Sequence, residues 1–493
     1  MGGTSMNPLP TEGHIDCLKP EQRKKLREFW AQFFELLDQA PERGSVADPD
    51  AEGGGSEMKG KKDGKDAGKD IPKDDKEKER VRAEAEMKNA KAALEKYGSI
   101  RVKSAYWRFI AMDDPDVMML RFLRARKYDV PAGVAMLMST ILWRIEGDVE
   151  KIFYKGEEGM QNAEGFLKQL ASSKTYTQGT DRQGRPVVYI HVGLHKLFDQ
   201  SAKALEDFVI FQMESVRLLF APPVDKVTIV FDMTGFGLSN MDWKCVLFIV
   251  KCLEAYYPES LNTMLIHNAP WVFQGIWKIL GPMLDPVVRQ KIQFSKNTEE
   301  MTVIIHEDHL VKKLGGKSDW VWHYEPVQEG ENAAQQDKST QKKRQAERDN
   351  LIEEYESICR KWVEDASEVN TKIRELVTAA LRVQYWALDP YIRGRGCYHR
   401  HKNVIGNGLV MFEYPGLSPE GEWDIRGYSS TREHLIGECE RMKAEIKDLG
   451  GKVPKLDMGL DDDAGGDSGD EAPKRRKSVS KKPSRRGSMR ERD

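Results

Sequence analysis

Two charged residues frame the oiliest stretch of this 493-residue chain, Glu259 before it and Lys291 after it. Between them runs WVFQGIWKILGPML, residues 271–284, in which only Gln274 and Lys278 carry a strongly polar side chain. A helix apolar on nearly every side is either buried in a core or faces something oily. Charges that bracket such a helix fit a ligand with long apolar chains and one charged head. Other chemistry fails on spacing. Gly235 and Gly237 follow a strand and open a helix as a dinucleotide fingerprint does, but Asn240 stands where the third glycine belongs. Gly316-Lys317-Ser318 is similar to the end of a phosphate loop, yet Val311 replaces the leading glycine. His306 and His309 are three apart, not at zinc-protease spacing, and there is no GxSxG elbow. No catalytic residue, metal ligand or cofactor site is expected.

The elements that must position the charges follow from periodicity. Strand-like runs at 187–192, 227–231 and 263–267 alternate with helical stretches at 202–220, 240–257 and 271–284, which predicts an α/β architecture with a largely parallel sheet. Helical patterns at 81–97, 115–127 and 131–146 precede it. Residues 1–40 hold one short amphipathic helix, with Leu26, Phe29, Trp30, Phe33, Leu36 and Leu37 at helical spacing. Residues 41–80 read as a disordered charged linker, because sixteen of the twenty-two residues from Lys59 to Arg80 are charged and almost nothing can be buried.

Residues 331–450 read as a helical extension. Apolar positions from Leu351 to Val383 predict a long helix or helical hairpin ending before Pro390, and 397–414 predict a β-hairpin turning at 406–408. The spacing slips near Ala366, which disfavours a continuous coiled coil and favours packing back in a monomer. Residues 451–493 form an acidic then basic tail, expected to be disordered, with ten Lys/Arg between Lys474 and Arg492. Ser478 and Ser488 each follow paired arginines and are candidate phosphorylation sites. A membrane tether, a nuclear import signal and an inert solubilising tail all remain open for it. With 77 Lys+Arg against 79 Asp+Glu the chain is no uniformly basic nucleic-acid binder. No apolar run approaches the ~18 residues of a spanning helix, and six cysteines make no disulfide framework, so a cytoplasmic setting is expected.

Five segments in order, LRFLRARKYDV at 120–130, TDRQGRPVVYI at 180–190, YYPESLNTMLIHNAPWVF at 256–273, LDPVVRQKI at 284–292 and LGGKSDW at 314–320, resemble the CRAL-TRIO lipid-binding family. The branch most similar is the fungal phosphatidylinositol-transfer proteins. The resemblance spans about residues 95–325. It implies a CRAL-TRIO fold: a helical lobe at 81–165, then a lipid-binding domain at 166–330 whose mostly parallel sheet floors an apolar pocket. A mobile gate helix would close that pocket through Trp271, Phe273, Ile276, Trp277 and Leu280, with Gly315 and Gly316 as hinge. It also implies that Arg126, Lys127, Glu259 and Lys291 hold an inositol phosphate, the cations neutralising phosphate and Glu259 accepting from hydroxyls.

Two departures matter. Val288 stands where a threonine supplies a phosphate hydrogen bond. The wall positions Thr177, Val188, Met213, Val227 and Ile229 are mostly apolar, where carriers of phosphatidylcholine place Tyr, Ser and Thr. A weakly polar second lipid suits such a wall. The function implied is a soluble, non-catalytic phosphatidylinositol-binding and transfer protein that touches membranes transiently and has no nucleic-acid partner. The alternative is a lipid-presenting scaffold that regulates lipid metabolism without net transfer.

Overall fold

The computed structural model describes residues 13–43, 75–416 and 422–460. Residues 44–74 of the expected linker and 461–493 of the tail, with Ser478 and Ser488, lie outside the described residues. Helix α1, Pro20–Asp38, buries Leu26, Phe29, Trp30, Phe33 and Leu37 on one stripe. Helix α2, Asp75–Ile110, starts within the stretch expected to be disordered, so residues 75–80 are helical instead. Side-chain pairs one turn apart, Arg80 with Glu77 and Arg82 with Glu86, support it where burial is scarce. It kinks at Gly98, whose φ of +76° suits glycine and where a Cβ would lie 2.1 Å from the Arg43 carbonyl oxygen. Helices α3, Pro115–Ala125, and α4, Val130–Glu146, each begin with an aspartate cap, Asp114 and Asp129, and a proline in the first turn. Helices α5, Val149–Gly159, and α6, Phe166–Ala171, lead into the sheet.

Five strands follow in the spatial order of the sequence: β1 Thr175–Thr180, β2 Pro186–His191, β3 Val227–Asp232, β4 Leu261–His267 and β5 Ile292–Ser295. β1 pairs antiparallel with β2, and the other pairs are parallel. Crossovers are made by α7, Ala202–Arg217, by α8, Trp243–Lys251, and by α9, Phe273–Leu280, with α10, Pro286–Gln290. The apolar runs at 187–192, 227–231 and 263–267 became the three central strands. Periodicity missed β1, which is mostly polar (TYTQGT), and β5, which is only four residues long. Side chains alternate across the sheet. Val188, Ile229, Met264 and Ile266 pack on one face, whereas Val187, Tyr189, Val230 and Leu265 enter a different core on the other.

After α11, Thr298–Thr302, the extension forms a helical hairpin, α12 Lys338–Glu364 and α13 Glu368–Ile392. The break between them contains Ala366, where the spacing slipped. α13 does not stop before Pro390 but carries it inside, because Tyr385 and Arg393 both donate to the Asp389 carboxylate at 2.8 and 2.9 Å and hold the last turns together. Residues 397–400 form the short helix α14 rather than a strand, with the Cys397 amide donating to the buried Glu157 carboxylate at 2.6 Å. The β-hairpin lies further on, β6 Val410–Tyr414 with β7 Glu422–Arg426, and α15, Arg432–Asp448, follows.

The extension packs back. Tyr355, Ile358, Trp362, Leu376 and Val377 share one core with Trp30, Phe33, Tyr106 and Phe122. At its centre Arg374 donates to Asp116 at 2.7 Å and to the Tyr355 hydroxyl at 2.8 Å, and the Trp30 indole donates to Asp116 at 2.8 Å. Removing one partner of such a buried pair costs about 3–5 kcal/mol, so α1, α3, α12 and α13 are fastened at one point. Elsewhere the extension covers the exposed edge of the sheet. The amides of Thr177 and Thr180 on β1 donate to the hydroxyls of Tyr398 and Tyr414 at 2.8 and 3.0 Å.

Candidate functional site

The sheet face carrying Val188, Ile190, Val227 and Ile229 floors a cavity of about 160 Å³, roofed by Phe208, Met213 and Val216 of α7 and Ile249 of α8. A second cavity of about 100 Å³ lies under α9, walled by Phe273, Ile276, Trp277, Leu280 and Val288. Phe231, Met241, Val246, Ile249 and Leu253 line both, so these side chains part them. The sheet-side cavity is lined mostly by apolar side chains, as ligand pockets are. Four of the five wall residues read from the sequence line it. Thr177 does not: it sits opposite Val188 on β1, but Thr175 lines the cavity instead.

α9 is two-faced. Phe273 and Ile276 are buried over the cavity, while Ile279, and Met283 in the turn after the helix, are exposed. Trp271, expected among the packed contacts of this helix, is 84% exposed instead, because it precedes the first helical turn.

The charges sit at the N-terminal ends of three neighbouring strands. Lys226 precedes β3, Glu259 lies two residues before β4, and Lys291 precedes β5. The Glu259 carboxylate is 3.5 Å from the Lys291 ammonium and 3.8 Å from that of Lys226. Each charge is next in sequence to a cavity-lining residue, Val227, Ser260 or Ile292. Glu259 has a φ of +55°, a conformation that costs a non-glycine residue about 1–3 kcal/mol and that clusters at functional positions. Its surroundings impose it: the Ser260 carbonyl accepts from the Val227 amide at 2.8 Å, and Arg121 donates to the Ser260 hydroxyl at 3.1 Å. Burial lowers the pKa of the Lys226 ammonium against the opposing pull of Asp225 and Glu259. Asp225 is already held by Arg121 and Arg124 at 3.9 and 3.0 Å, so two ammonium groups share the Glu259 carboxylate and the rim keeps a surplus of positive charge that an anionic head would neutralise. The sequence reading missed Lys226; its one signal is a lone lysine abutting an apolar run.

Arg126 and Lys127 are not joined to this cluster. Arg126 pairs with Glu86 at 3.3 Å and Lys127 with Glu79 at 3.0 Å, both carboxylates coming from α2. The helical start of α2 is what brings those acids there. Val288, in place of the expected threonine, is buried in the apolar wall and offers no hydroxyl. A second polar group, also missed, lines the larger cavity. Lys174 contacts the His195 ring at 3.0 Å, His195 lies 3.4 Å from Asp242, and burial pushes the Lys174 ammonium down to about 8.

Gly315 and Gly316 stand in a closed turn. Gly315 has a φ of +85°, and its amide donates to the Lys312 carbonyl at 2.9 Å. Gly316 is needed for space, not for a positive φ: a Cβ there would lie 2.0 Å from the Leu310 carbonyl oxygen. Hydrogen bonds from Ser318 to Leu310 and from Lys312 to Ser318 fasten the turn on both sides.

A sheet-floored apolar cavity with surplus charge on its rim is built for an amphipathic ligand. Comparison with known proteins identifies the family. The family model of the CRAL/TRIO domain matches residues 170–316, and that of the CRAL/TRIO N-terminal domain matches residues 85–139. The chain is 38% identical over 303 residues to a CRAL-TRIO domain-containing protein, C3H8.02, of Schizosaccharomyces pombe, covering 61% of this chain and 68% of that one. It is 32% identical over 430 residues to the phosphatidylinositol transfer protein CSR1 of Eremothecium gossypii, covering 80% of this chain and 98% of that protein. The SEC14 cytosolic factor of the same organism is 29% identical over 248 residues, 46% of this chain and 76% of its own length. The chain belongs to the CRAL/TRIO family, and its mostly parallel sheet with helical N-terminal region and C-terminal helices is that fold with an extension. Among the described residues no helix is long and apolar enough to cross a membrane.

Proposed function

We propose that this protein binds phosphatidylinositol and carries it between membranes. The observation that carries the reading is the cation-rich rim of Lys226, Glu259 and Lys291 beside an apolar cavity floored by the sheet. The phosphodiester meets the two lysines, inositol hydroxyls donate to Glu259, and the acyl chains lie over the sheet. Each CH2 left in water costs roughly 0.8 kcal/mol, so the chains must be covered in transit and released only at a bilayer. α9 is the gate: its inner face covers the chains, and Trp271, Ile279 and Met283 meet the bilayer from outside. Arg126 and Lys127 join the phosphate set only once Glu86 and Glu79 let go. The protein works as a monomer at membrane surfaces and performs no bond chemistry.

The apolar wall of Val188, Met213, Val227 and Ile229 lacks hydroxyls and aromatic faces for a choline head. From vesicles holding both lipids, phosphatidylinositol is expected to move several-fold faster than phosphatidylcholine. Equal rates would overturn this assignment of the wall. Native mass spectrometry of the purified chain is expected to show a bound phospholipid. A bound phospholipid without transfer would favour the lipid-presenting scaffold.

A further inference from the structure

We propose that His323, Glu325 and His401 form a site for one divalent transition-metal ion, zinc foremost, that fastens the C-terminal extension to the segment leaving the sheet domain. Their ligand atoms all lie within 4.8 Å of one another. His323 Nε2 is 3.1 Å from Glu325 Oε1, and His401 Nε2 is 3.8 Å from the same oxygen. The two imidazole rings are 4.6 Å apart between centroids.

The second observation is the state of His401. Its side chain is only 8% exposed, and its Nε2 is buried with no hydrogen-bond partner. A buried ring nitrogen left without a partner is costly, and its nearest anion is the Glu325 carboxylate. The ring is held in place by the edge of Trp322, 5.3 Å away at 70°, and by its position directly after α14. The neighbouring Arg400 does not compete for Glu325, because its guanidinium is held by Glu157 and Glu331.

Two imidazoles and one carboxylate form a three-ligand set that suits zinc with water in the fourth position. Bonds of about 2.0–2.2 Å to a common ion would bring the ligand atoms to about 3.3–3.5 Å apart. The approach falls to His323, whose side chain is 66% exposed and has room to swing inward. The ion would then bridge residues 323–325, just beyond the matched domain, and the extension at residue 401.

The test uses the full chain, stripped with chelator and desalted, titrated with Zn²⁺ alone by calorimetry and with Co²⁺ alone by visible absorption. One ion per chain is expected, with a Co²⁺ spectrum free of a thiolate charge-transfer band. Saturating zinc should raise the melting temperature by about 2–4 °C at a hundredfold excess over Kd. His323→Asn, at an exposed position, should fold normally, bind zinc at least tenfold more weakly and lose that rise. His401→Asn should do the same if it folds. Absence of binding by the wild-type chain, a thiolate band, or unchanged affinity in His323→Asn would overturn the site.

Discussion

Lys291→Ala and Glu259→Gln are each expected to abolish phosphatidylinositol transfer between vesicles while the chain stays folded. Lys291 reaches Glu259 at 3.5 Å, and Lys226 completes the cluster at 3.8 Å. Charge-assisted hydrogen bonds contribute about 1.5–3 kcal/mol each, so losing those of Lys291 lowers headgroup affinity roughly 10- to 150-fold. Glu259→Gln keeps the side-chain shape at a residue whose φ is +55°, yet removes the carboxylate that Lys226 and Lys291 share. Arg126→Ala is the contrast. Its guanidinium is held by Glu86, so that variant is expected to keep a measurable part of wild-type transfer. Circular dichroism melts establish folding, and a fluorescent-lipid transfer assay reads the rate. Normal transfer by both folded rim variants would remove the rim from headgroup binding. A complete loss in Arg126→Ala alone would move the phosphate to the α3 side.

Gly316→Asp is expected to lower the melting temperature sharply or to prevent recovery of folded protein. A Cβ at this position would meet the Leu310 carbonyl oxygen at 2.0 Å and its Cβ at 2.6 Å, far inside any real contact distance. The backbone cannot yield without breaking the Ser318-to-Leu310 and Lys312-to-Ser318 hydrogen bonds, and a carboxylate would add a charge beside the buried Leu310. A loss above about 2 kcal/mol follows. Gly316→Ala separates the causes: the Cβ alone accounts for the clash, so the alanine variant should be nearly as damaged. Unchanged melting in both variants would show that the turn opens without cost. Retained melting with lost transfer would instead return these glycines to a hinge role.

The sequence by itself determined the α/β class, the three central strands, the oily helix and the pairing of Glu259 with Lys291 around it. These signals are local: apolar runs of strand length, a helix without a polar face, and short segments whose order matched one family. The tertiary structure alone decided which charges meet. Lys226 joins Glu259 because β3 and β4 lie side by side, whereas Arg126 and Lys127 turn to Glu86 and Glu79 because α2 begins at Asp75 and passes over them. The start of α2 was illegible, since charged residues without an apolar stripe read as a linker, and the ion pairs that support these turns leave no apolar period. β1 was illegible for a related reason: its edge amides are satisfied by Tyr398 and Tyr414, more than two hundred residues away. The same holds for His323, Glu325 and His401, two of them one residue apart in a loop and the third brought in by the extension. Periodicity reports which face of an element is buried; the partner of a polar group depends on which elements pack together, and that is settled only when the core closes.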